Sequence, residues 1–130
     1  YPNTDFALDA EFKLNLINDI LAAKEMYVGR YYVDRKKWIA AINRFEFVLN
    51  NYDTTIYVEE ALYRLVEIYY TLGFEAEAKN YASLLGYNYQ SSEWYENSYS
   101  IFDKKYAMDK IKKEDNSILK RLKSLFRWDE

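Results

Sequence analysis

GRYYVDRKKWIAAINRFEFVLNNYD, residues 29–53, contains no proline, and its single glycine is its first residue. Gly29, Tyr32, Ala41 and Phe45 are spaced as they would be on two antiparallel helices joined by a turn near Lys36. In that arrangement Gly29 and Ala41 let the helix backbones approach closely, while Tyr32 and Phe45 fill the space beside the contact. The stretch therefore reads as one helical hairpin.

A second copy follows. Tyr69 precedes Ala78 by nine residues, as Tyr32 precedes Ala41, and Phe45 and Val48 correspond to Ala82 and Leu85. The offset of 37 residues lies near the 34-residue period of the tetratricopeptide repeat. Lys36 stands where the second copy has Gly73, so the first turn is expected to need a strained backbone or a different geometry. Asp53 and Gln90 occupy places where the repeat often has proline, and Pro2 resembles such a terminal proline. A repeat of this kind cannot bury its face alone, so further repeats are expected on the N-terminal side.

Working outward, a long first helix is expected over about 7–33, capped by Asn3, Thr4 or Asp5, with Ala10, Leu14, Ile17, Leu21, Val28 and Tyr32 on its inner face. The second helix, about 36–51, carries Trp38, Ala41, Ile42, Phe45, Val48 and Leu49 inward. The third, about 57–72, ends at Gly73, and the fourth covers about 75–88. Ser91 or Ser92 caps a fifth with Tyr95, Tyr99, Phe102 and Tyr106, and after KKEDN a short last helix is expected from Ser117 to Trp128. The fold class is all-α: tetratricopeptide-type helical hairpins of an α-solenoid, with an extended first helix and a C-terminal helical extension. The expected division is a repeat domain over 1–106 and a basic linker with an amphipathic helix over 107–130.

Composition narrows the chemistry. The 130 residues include no cysteine and no histidine, which removes disulfides, thiol nucleophiles, imidazole bases and most zinc sites. Asp103, Asp109, Glu114 and Asp115 lack metal-loop spacing, and no glycine-rich phosphate loop is present. No catalytic residue, cofactor or metal is expected, and the chain is not read as an enzyme. The 15 tyrosines fall largely on core stripes, without a basic groove between them, so packing explains them better than nucleic-acid stacking. Glu59, Glu60, Arg64 and Glu67 read as a surface ion-pair set.

Charge is unevenly spread. Residues 1–103 hold 9 Lys/Arg against 16 Asp/Glu, whereas 104–130 hold 9 against 5. In the basic tail, Ile118, Leu122, Leu125 and Phe126 share one side of a helix ringed by Lys120, Arg121, Lys123 and Arg127. Three roles fit this pattern: a polar-faced cap on the last repeat, docking into a partner's groove, or lying on an anionic membrane.

YPNTDFALDA, RYYVDRKKWIAAINRFEFVLNNYDTT and EEALYRLVEIYYTLGFEAEAK together resemble the C-terminal repeats of the BamD family, lipoproteins of the outer-membrane β-barrel assembly machinery. The resemblance covers about residues 1–90. It implies a non-catalytic scaffold at the periplasmic face of the outer membrane of a Gram-negative bacterium, held there by a lipid anchor upstream of these residues. It also implies binding to the POTRA region of BamA and to other subunits of the Bam complex, with unfolded outer-membrane proteins as a further candidate partner. The family's arginine for the POTRA contact falls in INR, hence Arg44. Arg44 lies off the core stripe and shares an outer face with Ala40, Phe47 and Asn51, and an arginine beside an exposed aromatic suits an interface. The alternative function is a generic tetratricopeptide adaptor gripping a peptide in its concave groove.

Overall fold

A computed structural model describes residues 4–126, leaving aside the side chains of 104–114 and 126. Its regular structure is five α-helices: α1 (Asp5–Asp34), α2 (Trp38–Asn51), α3 (Val58–Thr71), α4 (Glu75–Asn88) and α5 (Glu93–Phe126). The residues group into two units, Tyr1–Ser98 and Tyr99–Glu130. In the first unit α1 pairs with α2, α3 pairs with α4, and α2 packs on α3. These are the tetratricopeptide-type hairpins expected from the repeat.

Both hairpins are closed by the same backbone device. The Lys37 N–H donates to the Tyr32 carbonyl and the Lys36 N–H to the Val33 carbonyl, each at 2.9 Å. Thirty-seven residues on, Phe74 N–H donates to Tyr69 O at 2.8 Å and Gly73 N–H to Tyr70 O at 3.1 Å. Each is a helix end finished by one left-handed residue. Gly73 takes φ 86 without strain, while Lys36 takes φ 57, a conformation that costs a residue with a Cβ about 1–2 kcal/mol. At the other ends, Thr4 Oγ1 accepts from the Ala7 N–H at 3.2 Å and Ser92 Oγ accepts from the Trp94 N–H at 3.2 Å. Asn3 and Pro2 lie outside the described residues.

The core has two parts. Ala22, Met26, Ala41, Phe45, Val48, Ala61, Leu65 and Ile68 are fully buried together, with Tyr32, Trp38 and Tyr69 at their edge. Val58, Leu62 and Leu85 form the second part, flanked by Tyr63, Tyr81, Trp94 and Tyr95. Tyr69 of α3 and Tyr81 of α4 stack at 5.5 Å between ring centres within the second hairpin, and the Tyr81 hydroxyl donates to Glu46 Oε1 of α2 at 3.2 Å, linking it to the first. Two glycines sit against rings: an added Cβ would lie 2.6 Å from Phe45 Cε1 at Gly29 and 2.6 Å from Tyr95 Cε2 at Gly86. The ring of Phe45, rather than the methyl of Ala41, is therefore what lies closest to Gly29.

Two expectations need correction. The inner face of α1 is Ala22, Met26 and Gly29, continued by Val33, whereas Ala10, Leu14, Ile17 and Leu21 are exposed. The reason is length: α2 has 14 residues against the 30 of α1, about 21 Å against about 45 Å at ~1.5 Å per residue, so it covers only the C-terminal half. The tail is likewise not a separate short helix, because α5 runs unbroken from Glu93 to Phe126 through KKEDN. Lysine and glutamate are good helix formers, and that stretch contains neither glycine nor proline to stop the turn. The end expected at Trp128 lies outside the described residues.

Two outcomes follow for stability. Gly29→Ala drives a methyl into a ring with no room to withdraw and should destabilise the fold by about 1–3 kcal/mol, read as a lower melting temperature by circular dichroism. Gly86→Ala, whose Cβ would meet the half-buried and more movable Tyr95, should lose less. Burial, helped by Glu67 beside Tyr63 and Glu46 beside Tyr81, pushes both tyrosine hydroxyls up to about 12 from the usual 10. The folded state then holds protons that the unfolded chain releases, so this stability is intact below pH 10 and fades as pH rises towards 12. Melting temperatures should fall over that window, in step with tyrosinate absorbance at long ultraviolet wavelengths. Tyr81→Phe should flatten the fall.

Candidate functional site

With Ala41, Phe45 and Val48 committed to the core, helical geometry turns Ala40, Arg44, Phe47 and Asn51 to the outer side of α2. Ala40, Arg44 and Phe47 line one shallow cavity of about 290 Å³, together with Tyr32 of α1 and Asn43. Asn51 does not line it, but its side-chain amide donates to the Phe47 carbonyl at 3.0 Å and steadies the end of the helix. The Phe47 ring stands edge-on to Tyr52 with centres 5.8 Å apart, and 44 % of the residue stays open to solvent.

Arg44 is not a free cation. Its Nη1 donates to Glu25 Oε2 on α1 at 2.9 Å, and this hydrogen bond and charge hold the guanidinium's pKa above its ordinary value. The arginine is 44 % exposed while Glu25 is mostly covered, so the carboxylate acts as a fixed seat for a guanidinium whose remaining donors face outward. An oriented guanidinium beside a half-open aromatic can hold a carboxylate and an apolar side chain of another chain. Of the outer-face residues expected from the sequence, Ala40, Arg44 and Phe47 line this cavity and Asn51 does not, while Glu25, Asn43 and Tyr32 were not part of that expectation. The signal for Glu25 was available: in an antiparallel hairpin, residues at similar distances from the turn face each other.

The charges on α3 also differ from expectation. Glu60 is buried rather than part of a surface set, and Arg30 Nη1 of α1 donates to its two oxygens at 2.8 and 2.7 Å. Arg64 Nε lies 3.7 Å from the same carboxylate and Arg64 Nη1 3.7 Å from Glu67. Glu59 accepts a hydrogen bond from Ser92 Oγ, tying α3 to the start of α5. These contacts bind helices together, whereas the Arg44–Glu25 pair leaves its arginine 44 % exposed on the outer side of α2.

In the second unit, Ile118, Leu122 and Leu125 lie exposed on α5 beside Leu119, and the side chain of Phe126 falls outside the described residues. Among the described residues no helix is long and apolar enough to cross a membrane, and no acidic group is arranged to hold a metal ion.

Paired helices packed in succession, with an oriented arginine on an outer face, are the architecture of a helical-repeat protein. Residues 1–84 match the YfiO family, described as outer membrane lipoprotein, and the chain belongs to that family. It is 54 % identical over 101 residues to the outer membrane protein assembly factor BamD of Rickettsia prowazekii, covering 78 % of this chain and 40 % of that protein. It is 45 % identical over 103 residues to BamD of Caulobacter vibrioides, covering 79 % of this chain and 34 % of that one. BamD of Neisseria meningitidis serogroup A is 37 % identical over 92 residues, 71 % of this chain and 34 % of that one. The chain thus spans two fifths or less of the length of these relatives.

Arg44 and Glu60 should respond unequally to removal. Arg44→Ala breaks a partly exposed pair and should change stability by less than about 1 kcal/mol. Glu60→Ala strands two guanidiniums beside a buried gap. Because Arg30 is 38 % exposed, water offsets part of that loss, leaving about 1–3 kcal/mol. Urea unfolding of the two variants side by side checks the contrast.

Proposed function

We propose that this chain is a non-catalytic scaffold in outer-membrane protein assembly, working by rigid presentation of surfaces. In this reading the outer face of α2 meets the POTRA region of BamA. Arg44 pairs with an acidic group there and Phe47 packs beside it. The chain sits at the periplasmic face of the outer membrane of a Gram-negative bacterium, with the lipid anchor of its family upstream. Further subunits and unfolded outer-membrane proteins are its other partners.

One observation carries the reading most strongly: Ala40, Arg44 and Phe47 converge on one half-open cavity, with Arg44 seated by Glu25. The name of the relatives, outer membrane protein assembly factor, supports the process, and membership of an outer membrane lipoprotein family supports the location. Arg44 stands on the outer face of α2, which favours a scaffold contact over a peptide held in a concave groove.

The test is capture of BamA by immobilised protein. Arg44→Glu adds repulsion to the lost pair and should weaken capture at least tenfold, more than Arg44→Ala does, with the helical dichroism unchanged. A double variant, Glu25→Arg with Arg44→Glu, rebuilds the pair within the hairpin in reversed order. It should recover stability without recovering BamA. Equal capture by Arg44→Glu and the unaltered chain would move the interface elsewhere.

A further inference from the structure

The end of α5 carries a pattern that the contact at Arg44 does not use. Every residue over 115–125 is exposed, and from Asn116 to Leu125 there is no carboxylate. Helical geometry, about 100° per residue, gathers Leu125, Ile118, Leu122 and Leu119 into one apolar sector roughly 120° wide. Arg121 stands at one edge of that sector and Lys123 at the other, while Ser117, Lys120 and Ser124 occupy the far side. None of these three cations has an ion pair among the described residues. The segment also lies beyond residues 1–84, the part that matches the family.

Continuity of the helix excludes a cap on the last repeat. Because α5 is unbroken from Glu93 to Phe126, Ile118 lies about 24 Å further along the axis than Phe102 and cannot fold back on it. Pairing with a second copy in water needs an apolar seam sustained over about three or four heptads. This sector covers only 118–125, and Lys112, Lys113, Glu114 and Asp115 precede it in the sequence. An anionic bilayer fits better. The family is one of outer membrane lipoproteins, so a bilayer surface is at hand. Cations at both edges of the sector stand where phosphates flank a helix lying in the interface, and their stems can run along the apolar boundary. Residues 1–103 hold 16 Asp/Glu against 9 Lys/Arg and are repelled by such a surface, which confines the contact to this helix. No described helix is long and apolar enough to cross a membrane, so the contact lies on the surface.

We propose that the end of α5, residues 116–125, lies on an anionic phospholipid surface. Ile118, Leu119, Leu122 and Leu125 enter the boundary of the acyl chains, and Arg121 and Lys123 meet phosphates on either side. Lys120 adds attraction from the outward face, and Ser117 and Ser124 stay hydrated there. The inference rests on the family's membrane location and not on the proposed contact of Arg44 with BamA.

The test uses the full chain and flotation with vesicles of phosphatidylcholine, either alone or with about a quarter phosphatidylglycerol. The chain should bind the anionic vesicles at least tenfold more tightly than the neutral ones, and high salt should remove most of the difference. Lys120→Glu, Arg121→Glu and Lys123→Glu together should abolish binding. Leu122→Asp, at a site open to water, should weaken binding while the melting temperature holds. The chain has no cysteine, so a polarity-sensitive dye can be attached at one position at a time. Its emission should shift to the blue on anionic vesicles when it is carried by Ile118→Cys, and should stay in place when it is carried by Ser124→Cys. Capture of BamA by the tail variants should equal that of the unaltered chain, so failure here is read apart from failure at Arg44. Equal binding to the two kinds of vesicle would overturn the proposal, as would equal dye shifts at positions 118 and 124. Loss of BamA capture in Leu122→Asp, with no binding of vesicles by the unaltered chain, would assign the sector to a protein groove instead.

Discussion

The fold turns on a ring seated where a side chain is missing. Phe45 is completely buried, and its ring edge occupies the space that any Cβ on residue 29 would claim. That contact sets the separation of α1 and α2, and with it which residues of α2 face inward. Because Phe45 and Ala41 are buried in the core, Arg44 and Phe47 fall on the outer edge of α2, where Arg44 reaches Glu25 of α1. The candidate site is thus a geometric consequence of packing at Gly29.

Charge is used in two different ways around this frame. Glu60, buried between helices, collects Arg30 from α1 and Arg64 from its own helix, and so ties the first helix to the third across the hairpin boundary. The Glu25–Arg44 pair has similar geometry but stands half in water, where such a pair adds little to stability. The same two residue types act as a clamp in one place and as an oriented contact in the other. Solvent access makes the difference.

Much of this was legible in the sequence, for identifiable reasons. The hairpins could be read because Gly29, Tyr32, Ala41 and Phe45 fix both a helical phase and a distance from the turn, and Lys36 opposite Gly73 announced the strained corner. The face of α1 was misread because apolar residues surround its first half: Phe6, Leu8, Phe12, Leu14, Leu16, Ile17 and Ile20 offer several stripes, and periodicity cannot choose among them. Only the partner's length decides, and that is a tertiary fact. The outer-face set on α2 was found because it is the complement of a clear core stripe. Glu60 was not recognised in its role because its partner Arg30 lies 30 residues away on another helix, whereas Glu25, 19 residues from Arg44, is legible only from its place across the hairpin. The unbroken α5 was missed because a polar run was taken for a break, although charged residues leave a helix intact when they face water.

The unequal lengths of α1 and α2 divide one continuous helix into two thermodynamic segments. From Ala22 to Val33 the backbone is locked under a closed core, and its amides can exchange with solvent only when the hairpin itself opens. From Leu8 to Ile20 no described helix packs across the same hydrogen-bonded spiral, so in this 130-residue chain taken by itself its turns can open without disturbing the core. Deuterium would therefore enter α1 as a gradient along its axis, with the steepest step near Leu21.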